Sequence, residues 1–217
     1  MKRWLRSDMP VPITLPLHFD LRLRARRRRL RRFVIPALLL LGAALLATGL
    51  WMPAKAELAQ HLLNRAWTDT TASGGAVTVR PWPWADTWPV ARLTLPGARA
   101  PLTVLAGASG RALAFAPGLV DGSAQPGTPG VSVIAGHRDT HFRALAELAI
   151  GDEFTLEQPD GSVLVYGVTA LDIVDSERTA LRLDADESVV ALVTCWPFDA
   201  VTVGGSWRYI VTGRLRF

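Results

Sequence analysis

Three residues in this chain of 217 carry side chains suited to acyl transfer through a thiol. Cys195 is the single cysteine and closes the apolar run "ALVTC", directly before Trp196-Pro197. A thiolate can attack a carbonyl carbon, but it then needs a proton source for the leaving atom and a donor for the developing oxyanion. His137, in "VIAGHRDTHF", offers an imidazole that can protonate a leaving amine. Arg208, in "WRYIVTG", offers a permanently cationic, planar fork that can donate to an oxyanion or hold a peptide backbone. Taken singly, each has a plainer reading: a packed thiol, a turn histidine, a surface strand charge. Their common position at the ends of apolar strands favours the chemical reading, because strand ends are where a rigid scaffold presents catalytic groups.

The elements that must hold these residues are mostly strands. From Val90 onward the chain consists of short apolar runs separated by Gly, Pro and Asp. "ARLTLPG" and "APLTVLAG" read as two early strands, "SGRALAFAPG" as a short helix, and "GVSVIAG" as a buried strand running to His137. "THFRALAEL" reads as a helix with Thr140 as its N-cap. "DEFTLEQPDGSVLVYGVTALDIV" gives two strands joined at "PDG", and "SVVALVTCW" and "WRYIVTGRLRF" supply the last two. Many short strands with only short helices predict an all-β barrel or sandwich. Gly136, before His137, predicts a close backbone approach at that turn. No internal repeat is visible.

The amino-terminal part is different. Residues 1–32 hold 11 Lys/Arg against 2 Asp, so the net charge of +5 conceals a body that carries −4. "RLRARRRRLRR", Arg22 to Arg32, leads directly into 20 uncharged residues, Phe33 to Met52. At about 1.5 Å per residue such a helix crosses a hydrocarbon core of about 30 Å. The arginine run could instead bind nucleic acid, but beside an apolar span the positive-inside rule accounts for it, so no nucleic-acid partner is expected. The expectation is a single-pass protein of the cytoplasmic (inner) membrane, with residues 1–32 as a cytoplasmic arm, 33–52 as the span, and everything after Met52 exported. An exported domain with one cysteine has no internal disulfide. Residues 53–89 read as a juxtamembrane helix, a flexible joint at "TDTTASGG" (Thr68–Gly75), and a Trp/Pro segment, "RPWPWADTWP", laid on the surface by packing. The catalytic domain is expected at 90–217, and a chain lacking residues 1–70 should fold.

The pieces "VIAGHRDTHF", "GDEFTL", "LVTC" and "RYIVTG", in that order, make residues 90–217 resemble the sortases, membrane-anchored cysteine transpeptidases. Ala191 stands where the TLxTC signature of that family has its first Thr, while the Thr194-Cys195 pair is intact. With the amino-terminal anchor, the "PWPWAD" segment and the short spacing from Cys195 to Arg208, the chain looks most like the class D-related group and the single sortases of proteobacteria. The resemblance implies an eight-stranded sortase-type β-barrel, a triad of His137, Cys195 and Arg208, and no cofactor. It also implies two partners: a secreted substrate protein ending in an LPxTG-like sorting signal, cleaved between Thr and Gly, and an amine acceptor. His137, Asp139 and His141 do not make a metal site on this reading, because a helix start separates the two histidines and no further His/Cys group follows. His18 and His61 read as solvated. The rival readings are another cell-envelope cysteine peptidase or L,D-transpeptidase, which usually places Gly before its Cys, and a tethered binding barrel with an idle thiol.

Overall fold

The computed structural model describes residues 17–98, 100–200 and 204–216. The first half of the basic arm lies outside the described residues, as does the side chain of His18. The chain divides into two compact units, Met1–Ala54 and Lys55–Phe217. One helix, α1 (Leu17–Ala72), supplies the described part of the first unit and the start of the second, with Pro36 and Pro53 inside it. Within Leu30–Ala72 lies a window of mean hydropathy 2.3, long and apolar enough to cross a membrane, with no side chain buried. Leu38, Leu39, Leu40, Leu45 and Leu46 are all exposed, an arrangement costly in water and favourable in lipid.

In the second unit the helix turns amphipathic. Leu63, Ala66, Trp67 and Thr70 are buried at helical spacing. Gln60 Nε2 donates to the Phe115 carbonyl at 2.6 Å, and the Arg92 guanidinium lies over Trp67, 5.6 Å from the ring centre. The flexible joint expected at Thr68–Gly75 is therefore corrected. The helix continues to Ala72, where burial of Trp67 and Thr70 outweighs the low helix preference of the Thr residues, whose hydroxyls at 68 and 71 bond back to the Asn64 and Trp67 carbonyls. The turn comes only at Ser73–Gly75, where Gly74 and Gly75 take φ of 62° and 77°. His61 is exposed, as read.

The strands are β1 (Pro89–Thr94), β2 (Leu102–Ala106), β3 (Gly118–Leu119), β4 (Gly130–Ala135), β5 (Glu153–Glu157), β6 (Val163–Asp175), β7 (Ser188–Cys195) and β8 (Trp207–Leu215). They close into an eight-stranded barrel in the order β1-β2-β3-β4-β7-β8-β6-β5. Two pairings are parallel, β2 with β3 and β4 with β7; the others are antiparallel. The barrel interior is a packed core that includes Leu93, Val104, Ile134, Phe154, Leu156, Tyr166, Val190, Leu192 and Val211. Alternation sends the neighbouring residues to the opposite face, where Val131, Val133, Val189, Ala191 and Ile210 form a second apolar layer across β4, β7 and β8.

The two-residue β3 is absent from the pattern read in the sequence. Gly118 marks it: a Cβ there would collide with the Gly107 carbonyl oxygen, so only glycine allows the approach that pairs β3 with β2. The helix expected at "THFRALAEL" is also corrected, to a 3-10 helix at Arg143–Glu147 with no side-chain cap. Thr140 does not reach a backbone N–H there; its Oγ1 lies 3.3 Å from Nδ1 of His141. In the Trp/Pro segment Trp82 is partly buried against Phe115, with ring centres 5.2 Å apart. Trp84, by contrast, is 82% exposed, so packing does not account for it.

Candidate active site

Cys195 ends β7, and its antiparallel partner on β8 is Arg208. Directly opposed residues in such a pair stand about 4.5–5.5 Å apart at Cα. On the other side of β7 the parallel register runs from Gly130↔Ser188 to Ala135↔Val193. The Gly136 amide continues it by donating to the Val193 carbonyl at 3.1 Å, and two steps past the last pair His137 comes level with Cys195. Strand alternation decides the face. Val133, Val193 and Ile210 lie in the outer apolar layer, so Cys195 and Arg208, each two residues along from a member of that layer, share its face. Cys195 and Arg208 thus share the outer face at one end of the β7–β8 pair, and His137 lies two residues past the end of β4, at the same end of the sheet.

Their settings differ. Cys195 is half-buried and His137 exposed. The Arg208 guanidinium donates through NH1 to the carbonyls of Gly205 at 2.7 Å and Trp207 at 2.9 Å, which holds it to the chain entering β8. Gly136 is required for packing: a Cβ on it would meet the ring of the fully buried Phe142 at 2.9 Å. The Phe142 amide in turn donates to the His137 carbonyl at 3.0 Å, closing the turn that presents the imidazole.

Several residues support the site, and of these only Thr194, as part of the Thr194-Cys195 pair, was singled out from the sequence. Thr194 is buried and its hydroxyl donates to the Gly136 carbonyl at 2.8 Å, tying the residue before the thiol to the residue before the imidazole. The signal for it was alternation, which turns Thr194 away from the Cys195 face and onto the neighbouring strand. Arg138 donates to the Ala200 carbonyl at 2.9 Å and so fastens the His137 turn to the chain leaving β7. Trp196, Phe198 and Tyr209 pack together beside the site, with ring centres 5.2–5.7 Å apart, and burial raises the Tyr209 hydroxyl above its ordinary value. Burial pushes the His141 imidazole below its ordinary value, and the charge of nearby His137 pushes it the same way; a hydrogen bond with the Phe115 backbone and the Asp139 carboxylate oppose both. Among the described residues no three His, Cys, Asp or Glu side chains stand together as a metal site.

Comparison with known proteins identifies the family of the barrel. The Sortase domain model matches residues 93–216, more than half of the chain. Sortase D of Bacillus subtilis (strain 168) is 32% identical over 123 residues, which are 56% of this chain and 61% of that relative. This chain therefore spans somewhat under two thirds of the length of the curated relative it matches. Among solved structures, the Sortase D5 transpeptidase of Clostridium perfringens superposes with a TM-score of 0.59 at 20% identity, over 74% of this chain and 99% of that one. The sortase C of Clostridium perfringens, solved with the C-terminal cell wall sorting motif, gives 0.54 at 21% identity, over 76% and 90%. Those two likenesses bear on the fold, which is the same closed barrel. With the matched domain running from β1 through β8 and the Thr194-Cys195 pair at the end of β7, the chain belongs to the sortase family.

Proposed function

We propose that this chain is a membrane-tethered cysteine transpeptidase whose catalytic groups are Cys195, His137 and Arg208. The observation that carries the reading is the register that sets Cys195 opposite Arg208, with His137 two residues beyond the parallel pair Ala135↔Val193 on the neighbouring strand. The Cys195 sulfur attacks the carbonyl of the scissile peptide bond. Arg208 donates to the oxyanion that forms, and His137 delivers a proton to the leaving nitrogen as the C–N bond breaks, leaving a thioester on Cys195. An amine acceptor then attacks that thioester, an amide forms, and the thiol is regenerated. Nη1 of Arg208 holds the Gly205 and Trp207 carbonyls, and the other guanidinium N–H groups are the donors for the oxyanion.

The substrate class is a secreted protein ending in an LPxTG-like signal, cut between Thr and Gly. Support comes from family membership and from the sortase C of Clostridium perfringens, which on the same fold takes a C-terminal cell wall sorting motif. The arginine run before the apolar stretch supports a cytoplasmic amino terminus and an exported barrel. The domain organisation that goes with it is a basic arm at 1–32, a span at 33–52, a packed connector at 53–89 and the catalytic barrel at 90–217. The test is an assay of the full chain in detergent, with an LPxTG-type peptide and an amine acceptor. Wild type should release the peptide fragment beyond Thr and form the amide product, whereas Cys195→Ala should do neither. Turnover by Cys195→Ala would end the proposal.

A further inference from the structure

Among the described residues of the second unit is an open cavity of about 570 Å³, whose lining includes none of Cys195, His137 and Arg208. Its floor and walls are apolar: Leu58 and Leu62 from α1, Trp82 and Trp84 from the Trp/Pro segment, and Ala112 and Phe115 from the short helix α2 (Gly110–Leu113) and the turn after it. Lys55, Leu58, Ala59 and Leu62 follow one another at i, i+3, i+4 and i+7, so they form one stripe of α1 flanking the buried stripe of Leu63, Ala66 and Trp67. Among the described residues nothing covers the Trp84 indole, which is 82% exposed, or Leu58, at 58%. Lys55 and Arg111 stand at the rim, and Arg111 shares its charge with Asp86 at 3.4 Å.

We infer that this groove seats on the glycerol and headgroup layer of a phospholipid bilayer. The first argument is the reach of the chain. Lys55 and Leu58 follow Met52, the last residue of the apolar stretch, by three and six positions. At most about 3.6 Å per residue separates them from the end of the span, even if the chain were fully extended. The stripe therefore cannot leave the neighbourhood of the membrane surface while Phe33–Met52 is in the hydrocarbon. The second argument is composition. Exposed indoles backed by aliphatic side chains, with cations at the edge, match the chemistry of the interfacial layer, where tryptophan is enriched and lysine and arginine meet phosphate. Trp51, at the end of the apolar stretch, and Trp84 would occupy the same layer, one on each side of Lys55 in sequence. Seating would immerse the groove and hold the barrel against the surface instead of leaving it on a free stalk.

The inference rests on the reading of Phe33–Met52 as a membrane span, and the test separates the two. Cys195→Ala makes the chain cysteine-free, and single cysteines for a nitroxide label are then placed at Leu41, Leu58, Trp84 and Ile150, all exposed positions. The full-length protein is reconstituted in vesicles of equal parts phosphatidylcholine and phosphatidylglycerol. Power-saturation electron paramagnetic resonance then reads accessibility to oxygen, which favours lipid, and to a nickel chelate, which stays in water. The expected result is deep burial at Leu41, water exposure at Ile150, and an interfacial balance at Leu58 and Trp84, with the nickel signal severalfold below that of Ile150. If Leu58 and Trp84 behave like Ile150 while Leu41 lies in hydrocarbon, the span stands and the seated groove is wrong. Leu41 open to the nickel chelate would remove the span and the inference with it. Labels at Leu58 and Trp84 closed to both reagents would show that a protein surface, such as a second copy of the chain, fills the groove, which also overturns the inference. A label-free check uses phospholipids brominated near the glycerol end: they should quench part of the wild-type tryptophan emission, and Trp84→Leu should lose a measurable share of that quenching. Unchanged quenching in Trp84→Leu contradicts the seating.

Discussion

At the scale of single residues, the site separates groups that react from groups that aim them. Arg208→Lys keeps the charge and loses the planar fork, of which only Nη1 is bound to the Gly205 and Trp207 carbonyls. If Arg208 serves the oxyanion, kcat/KM should fall on the order of 10²-fold, with thermal stability little changed; an unimpaired Lys variant would reduce the triad to Cys195 and His137. Gly136→Ala should act differently, by forcing a Cβ against the Phe142 ring at 2.9 Å. The expected signature is lost stability together with lost turnover, read from a melting curve beside the assay, because the His137 turn cannot stay where Phe142 is buried beneath it. His141 gives a pH test. Its imidazole titrates below the ordinary value of 6.5 when folded, so the unfolded chain takes up that proton first as pH falls. Stability linked to His141 is then complete above about pH 6.5 and lost as pH falls through the lower folded value. His141→Gln should flatten that part of the pH dependence, measured as urea midpoints between about pH 7.5 and 5. A slope identical to wild type would show that His141 is not held neutral by burial.

At the scale of elements, what was legible depended on how much of the pattern is local. The runs "GVSVIA", "SVVALVTC" and "WRYIVTGRL" are apolar and β-branched enough to be read as strands, and each is one. The two-residue β3 has no pattern of its own; it exists because Gly118 lets it lie beside β2. Thr68–Ala72 looked like a joint because a run of Thr, Ser and Gly disfavours helix in isolation, but the burial of Trp67 and Thr70 outweighs that preference. The register that sets Cys195 opposite Arg208 was not legible either, since no spacing encodes the pairing of β7 with β8. The packed end of α1 has a measurable consequence. Leu63 is fully buried, so Leu63→Ala should cost about 2–5 kcal/mol. A chain starting at residue 71, which also lacks Trp67 and Thr70, should melt well below one starting at residue 55. Equal melting temperatures would mean that this part of the helix adds nothing to the barrel.

At the scale of the whole molecule, an apolar helix that would tether the enzyme and a barrel that binds thiol chemistry to one sheet face make a connected proposal: a surface-held enzyme acting on proteins that arrive at the same membrane. Topology can be read with fusions, which should be active in the exported compartment when joined after residue 60 and inactive when joined before residue 30. The reverse pattern would put the thiol on the cytoplasmic side and remove its proposed substrate. The central claim is covalent: Cys195 carries the acyl group between the two halves of the reaction. Intact-protein mass spectrometry of the full chain, mixed with an LPxTG-type peptide and no amine acceptor, tests it directly. The account predicts an adduct with the mass of the peptide cut after Thr, mapped to Cys195 by digestion, absent from Cys195→Ala, and discharged when an amine is added. Amide product from wild type with no adduct at any time of quenching, or an adduct on another residue, would contradict it.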